Sequence, residues 1–152
     1  MGKERTFKRG EIREITALTA RQVAFYSETP AKSPVVVPNG KSAQPGIGKR
    51  REYSRHNLLE FLVVRECNIY GLTVGKIKKV ITDFNYWLDK GSMREPGSHW
   101  LVVRHKRDKK KKDVMSVNWT LISDAVTLQE LKQHTSALFI NIDELTEVAE
   151  RA

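Results

Sequence analysis

Residues 9–28, RGEIREITALTARQVAFYSE, hold two helical patterns with almost nothing between them. Ile12, Ile15 and Leu18 recur at helical spacing, and Leu18 runs straight into Thr19. Thr19 and Gln22 have the spacing of a capping box, in which hydroxyl and amide side chains satisfy each other's backbone N–H groups at a helix start. A helix cannot both continue through Leu18 and begin afresh at Thr19, so the chain must turn a corner there. That pattern predicts a helix-turn-helix. On a helix beginning after Thr19, Val23 and Tyr26 share one side, placed to pack on Ile12 and Ile15. Arg21, Ala24, Phe25 and Glu28 fall on another side, joining a guanidinium to a ring.

The next stretch, residues 29–54, has a different character. It contains four of the five prolines and three of the nine glycines, which rules out a continuous helix. Val35–Val37 form one short extended run and Arg51–Tyr53 another, with turn chemistry at Asn39-Gly40 in the long loop between them. A two-stranded ribbon with a basic tip, directly after a helix-turn-helix, is the layout of a winged helix.

Two stronger helices follow. Leu58, Leu59, Leu62, Val63 and Cys67 give one apolar pattern over residues 56–69, which Gly71 interrupts. Thr73 then precedes a stripe of Ile77, Val80, Ile81, Phe84, Trp87 and Leu88. Residues 89–98 read as a linker. In the tail, residues 99–105 form a short strand candidate, and Met115, Val117, Trp119 and Leu121 alternate with smaller or polar neighbours at the period of a half-buried strand. Thr127 and Glu130 form another capping box, residues 137–142 read as a third strand, and residues 143–152 as a closing helix. The predicted architecture is therefore a mainly α winged helix-turn-helix over residues 1–90, with four helices and a two-stranded wing. A linker at 91–98 and a small α+β module (β-β-α-β-α) at 99–152 complete it.

The strings GEIREITALTARQVAFYSE and GKRREYSRHNLLEFLVVRECNIYGLTVGKIKKVI, in that order, resemble the DNA-binding domain of the MerR family of transcription regulators. Arg21, Phe25 and Tyr26 match the second helix, Arg51, Tyr53 and Ser54 the wing, and Gly71, Leu72 and Thr73 the turn of the following helix pair. The resemblance spans about residues 7–88. It implies a winged helix-turn-helix that binds duplex DNA. Ala24 stands where the family has an arginine, Phe25 where it has a tyrosine, and Gly48 one place early in the wing. The long dimerising helix of the family has no counterpart after residue 88.

Charge supports a polyanionic partner without that resemblance. Residues 1–92 carry 17 Lys/Arg against 9 Asp/Glu, whereas residues 93–152 carry 10 against 9. A helix in the major groove reads base edges through its first turns, and the arginine fork suits guanine. Arg21 is therefore the first candidate for direct readout and Gln22 the second, on the helix that Thr19 starts. Lys49, Arg50, Arg51 and Arg55 would meet phosphates, which position a protein without reading sequence. Tyr26 and Tyr53 either add hydroxyl bonds to phosphates or serve the core and the hairpin.

The partners expected are double-stranded DNA and a second copy of the chain. The tail module is the candidate for dimerisation, or for signal input from a small-molecule or protein effector. The rival readings are a DNA-architectural or excisionase-like factor and a protein-interaction adaptor. The basic run Lys106–Lys112 reads as a solvated hairpin tip, with an auxiliary DNA contact as the alternative. Cys67, alone and on an apolar helix position, excludes an internal disulfide and reads as a buried structural thiol. The four histidines are scattered, so no metal ligand set is expected. The absence of a nucleophile–base–orienter set and of a phosphate-cradling glycine loop argues against an enzyme, and no cofactor is expected. No run reaches the roughly 18 apolar residues of a membrane span, and residues 1–10 lack the apolar core of a signal peptide, so a cytoplasmic protein is expected.

Overall fold

The computed structural model describes residues 4–28, 34–38, 50–107, 115–122 and 136–152. Among these are five α-helices and a small antiparallel sheet, a mainly helical α+β chain. The elements are α1 (Arg9–Thr16), α2 (Ala20–Glu28), α3 (Arg55–Ile69), α4 (Val74–Asp89), a 3-10 turn (Ser92–Arg94), β1 (Trp100–Arg107), β2 (Met115–Ile122), β3 (Ser136–Asn141) and α5 (Ile142–Arg151). The residues group into two compact units, Met1–Thr73 with Leu145–Ala152, and Val74–Glu144. The division falls on the turn before α4 rather than at residues 91–98, so α4 belongs with the sheet. No described helix is long and apolar enough to cross a membrane.

In the first unit, α1 and α2 meet at the corner Ala17–Thr19. Ala17 closes α1 in the left-handed region, φ 58°, and its N–H reaches the Arg13 carbonyl. A non-glycine residue holds that conformation only where its surroundings dictate it. Here they do: the buried Thr16 hydroxyl donates to the Ile12 carbonyl at 2.6 Å and accepts the Leu18 N–H at 3.2 Å. At the other end of α1, Glu11 takes the Lys8 N–H at 2.8 Å, and that backbone bond, aided by Arg5, holds its carboxyl below the usual range. An Arg9–Glu28 ion pair ties the start of α1 to the end of α2.

α3 is apolar on nearly every side, with Leu58, Phe61, Leu62, Val63, Val64 and Cys67 all buried. A helix buried all round is a core helix. Burial, and secondarily the Glu66 carboxylate, pushes the Cys67 thiol up to about 12. Phe7, Ile12, Val23, Val36 and Tyr53 are fully buried in the same unit.

One sequence expectation is corrected here. Val35–Val37 and Arg51–Tyr53 do not pair as the two strands of a wing. Tyr53 instead forms an isolated antiparallel bridge with Phe7, exchanging N–H···O bonds of 2.8 and 2.9 Å. Val36 donates to the Tyr26 carbonyl at 3.0 Å, and Val37 accepts from the Asn57 side chain at 2.9 Å. With Val36 sunk into the core and its N–H committed to α2, that run has no ladder edge to offer. The loop at residues 39–49 lies outside the described residues.

In the second unit, β1 is the central strand of a sheet ordered β2-β1-β3. Its register runs from Trp100 opposite Ile122 to Arg107 opposite Met115, and from Trp100 opposite Asn141 to His105 opposite Ser136. Leu101, Val102 and Val103 are all buried, so both faces of this strand are covered. α4 buries Ile77, Val80, Ile81 and Phe84 and packs on β2 and on the 3-10 turn. The paired strands flank residues 108–114, which contain most of the basic run. Lys106 and Arg107 end β1, while residues 108–112 of that run and the helix expected near Thr127 lie outside the described residues.

Candidate nucleic-acid interface

α2 begins as the sequence requires. Thr19 Oγ1 accepts the Gln22 N–H at 3.1 Å, and Gln22 Oε1 accepts the Thr19 N–H at 2.9 Å, closing the capping box. Val23, Tyr26 and Ser27 are buried, which fixes the helix by its inner face. Arg21 is exposed and makes no hydrogen bond or ion pair with any described residue. Ala24 is half-buried, and Phe25 keeps 47% of its surface exposed. The outer stripe thus carries a guanidinium and an aromatic ring, both turned to solvent. Gln22 is half-buried and its carbonyl oxygen is committed to the cap, which leaves only its amide nitrogen for readout.

Both tyrosines leave the candidate contact set. Tyr26 is buried, and its hydroxyl donates to Asn68 Oδ1 at 2.7 Å, joining α2 to α3. Tyr53 is fully buried, its hydroxyl 3.0 Å from Ser27 Oγ and its ring edge-on to Phe61. Phenols with internal partners on buried rings cannot reach a phosphate.

The basic segment after the loop is fastened to the end of α2. Arg51 Nη1 donates to the Ser27 carbonyl at 3.1 Å, so this half-buried cation caps the last turn of the helix, where the partial charge is negative. That bond makes it a structural anchor for the end of α2. Arg50 beside it is exposed, and so is Arg55. Lys49 lies outside the described residues. Arg55 is the first residue of α3, where the helix dipole disfavours a cation.

Ser54 and Asn57 start α3 with a second capping box, 3.0 and 3.1 Å. The Asn57 amide nitrogen also donates to Val37 O at 2.9 Å and to Glu60 Oε2 at 2.8 Å. Asn57 and Ser27 therefore organise the basic segment, and neither is singled out by the sequence reading. The Ser54-x-x-Asn57 spacing was the available signal for one of them. Arg13, exposed on α1 without a described partner, adds a further cation to the unit.

No protein-family model and no curated protein matches this chain.

Proposed function

We propose that the chain is a DNA-binding transcriptional regulator of the MerR kind, built on a helix-turn-helix, in which α2 reads a duplex operator and the basic segment from Arg50 to Arg55 holds the adjoining backbone. The observation that carries this reading is the exposed guanidinium of Arg21, without a partner among the described residues, in the first turn of a capped helix whose opposite face is locked into a core. An arginine held at such a place presents a forked donor matched to the O6 and N7 acceptors of guanine. Arg50 and Arg55 supply sequence-independent attraction to phosphate. A single short recognition helix gives limited discrimination, so a pair of copies on paired half-sites is part of the proposal.

Selection of duplexes from a random pool by the full chain tests it. A shared motif containing guanine, repeated with inverted symmetry, is expected. A pool that stays unenriched at low salt would turn the account toward an acidic protein partner instead. Enrichment without a motif, together with duplex bending, would favour an architectural factor.

A further inference from the structure

The outer stripe of α2 carries a second group that charge does not explain. Phe25 stands four residues after Arg21, a helical turn further along the same face. Its ring meets Tyr26 edge-on with centroids 5.3 Å apart, so the core grips one side and leaves 47% of the residue exposed. The phenyl ring has no donor for a phosphate oxygen. What it can gain on a duplex is apolar cover, and the major groove offers one apolar group on a base edge, the C5 methyl of thymine. Four residues advance about 6 Å along a helix, which is about two base-pair steps. Ala24, small and half-buried, raises no obstacle beside the ring.

Resting on the DNA-binding reading above, we infer that Phe25 is a specificity residue that seats a thymine methyl within about two base pairs of the guanine read by Arg21. The pair would form a polar and an apolar contact on one helix face, so the operator should join a guanine to a nearby thymine.

The test uses the full chain and a duplex enriched from a random pool, with each thymine replaced singly by deoxyuridine so that only the methyl group is lost. At one thymine near the essential guanine, affinity should fall about fourfold, the worth of one buried methyl-sized group. Phe25→Ala should bind the thymine and deoxyuridine duplexes equally, and Phe25→Leu should keep the difference, since it keeps an apolar contact. Sequence-specific binding with no deoxyuridine-sensitive position would overturn the inference while leaving the DNA-binding reading in place. Sensitivity that survives in Phe25→Ala would do the same. If wild type enriches and binds no duplex, the underlying reading fails and this inference fails with it. Should Phe25→Ala not fold, Phe25→Ser takes its place with the same expected loss of the difference, and a wild-type series with no sensitive position overturns the inference without any variant.

Discussion

Arg21→Ala removes a forked donor that no described residue holds, so the loss should appear in binding and not in folding. The expected cost is about 1–3 kcal/mol on the preferred duplex, with relaxed discrimination at one base position. Competition between that duplex and single-base variants measures both. Equal weakening on every sequence would make Arg21 a phosphate contact. Tyr26→Phe should behave in the opposite way. It strips the donor from Asn68 Oδ1 across the α2–α3 junction, and leaving that acceptor unpaired should cost about 1–2 kcal/mol of stability. Duplex affinity of the folded variant should stay unchanged. A denaturant titration beside a binding curve separates the two, and preserved stability with weakened binding would return Tyr26 to the contact set. Cys67 offers an internal control. Its thiol is buried and held near 12, so a thiol reagent at pH 8 should label it only as fast as the first unit opens. Rapid labelling of the native protein would contradict the placement of α3 in the core.

Each helix owes its existence to local signals, and these were legible. The Thr19 capping box and the apolar spacing of α3 and α4 are read within a few residues of each other, whereas the equally local Ser54–Asn57 box emerges only from the fold. Thr19→Ala should therefore destabilise the first unit by about 1 kcal/mol through the loss of the α2 cap, measurable as a lower melting temperature. What sequence did not disclose was partnership across distance. The bridge between Phe7 and Tyr53 is a single residue pair, so it leaves no period-two pattern in either segment. The run Val35–Val37 looked like its natural partner because β-branched residues favour strands, yet the Tyr26 carbonyl claims Val36. Arg51 looked like one more wing cation, and only the folded chain puts it on the Ser27 carbonyl.

A comparable long-range junction lies in the second unit. His99 is buried at the mouth of β1, with Nδ1 2.8 Å from Asp143 Oδ1 on α5 and Nε2 2.8 Å from the Glu95 carbonyl. Its own N–H reaches Asp143 Oδ2 at 2.8 Å, and its carbonyl accepts the Ile142 N–H at 2.9 Å. Both ring nitrogens face acceptors, so both bonds form only when the imidazole is doubly protonated. Burial alone would lower its pKa, but the bonds to Asp143 and to the Glu95 carbonyl and the two nearby charges outweigh that and raise it. A raised folded-state value means that the stabilisation is full below the ordinary value of 6.5 and fades as pH climbs through the folded-state value. Melting temperature should fall from acid to mildly alkaline pH through that window, and His99→Gln should flatten the slope. An unchanged slope in the variant would place the pH response elsewhere.

At the scale of the molecule, charge and fold divide the chain differently. The surplus of cations lies in residues 1–92, while the compact units divide at Thr73 and the closing residues Leu145–Ala152 group with the first. The carbonyl of Ala152 accepts from Arg5, whose guanidinium also lies 4.9 Å from the Phe7 ring centre. Truncation at residue 92 would remove that contact, so the pairing of copies is best tested on the full chain, by sedimentation with and without a selected duplex. The salt dependence of duplex binding bears most directly on the claim that the exposed cations of α2 and the Arg50–Arg55 segment meet a double helix. If about six phosphates are neutralised, log K against log salt should fall with a slope of about −5, and Arg50→Ala and Arg55→Ala should each make it shallower by about one. A slope near zero for wild type, or one that neither substitution changes, would contradict the account.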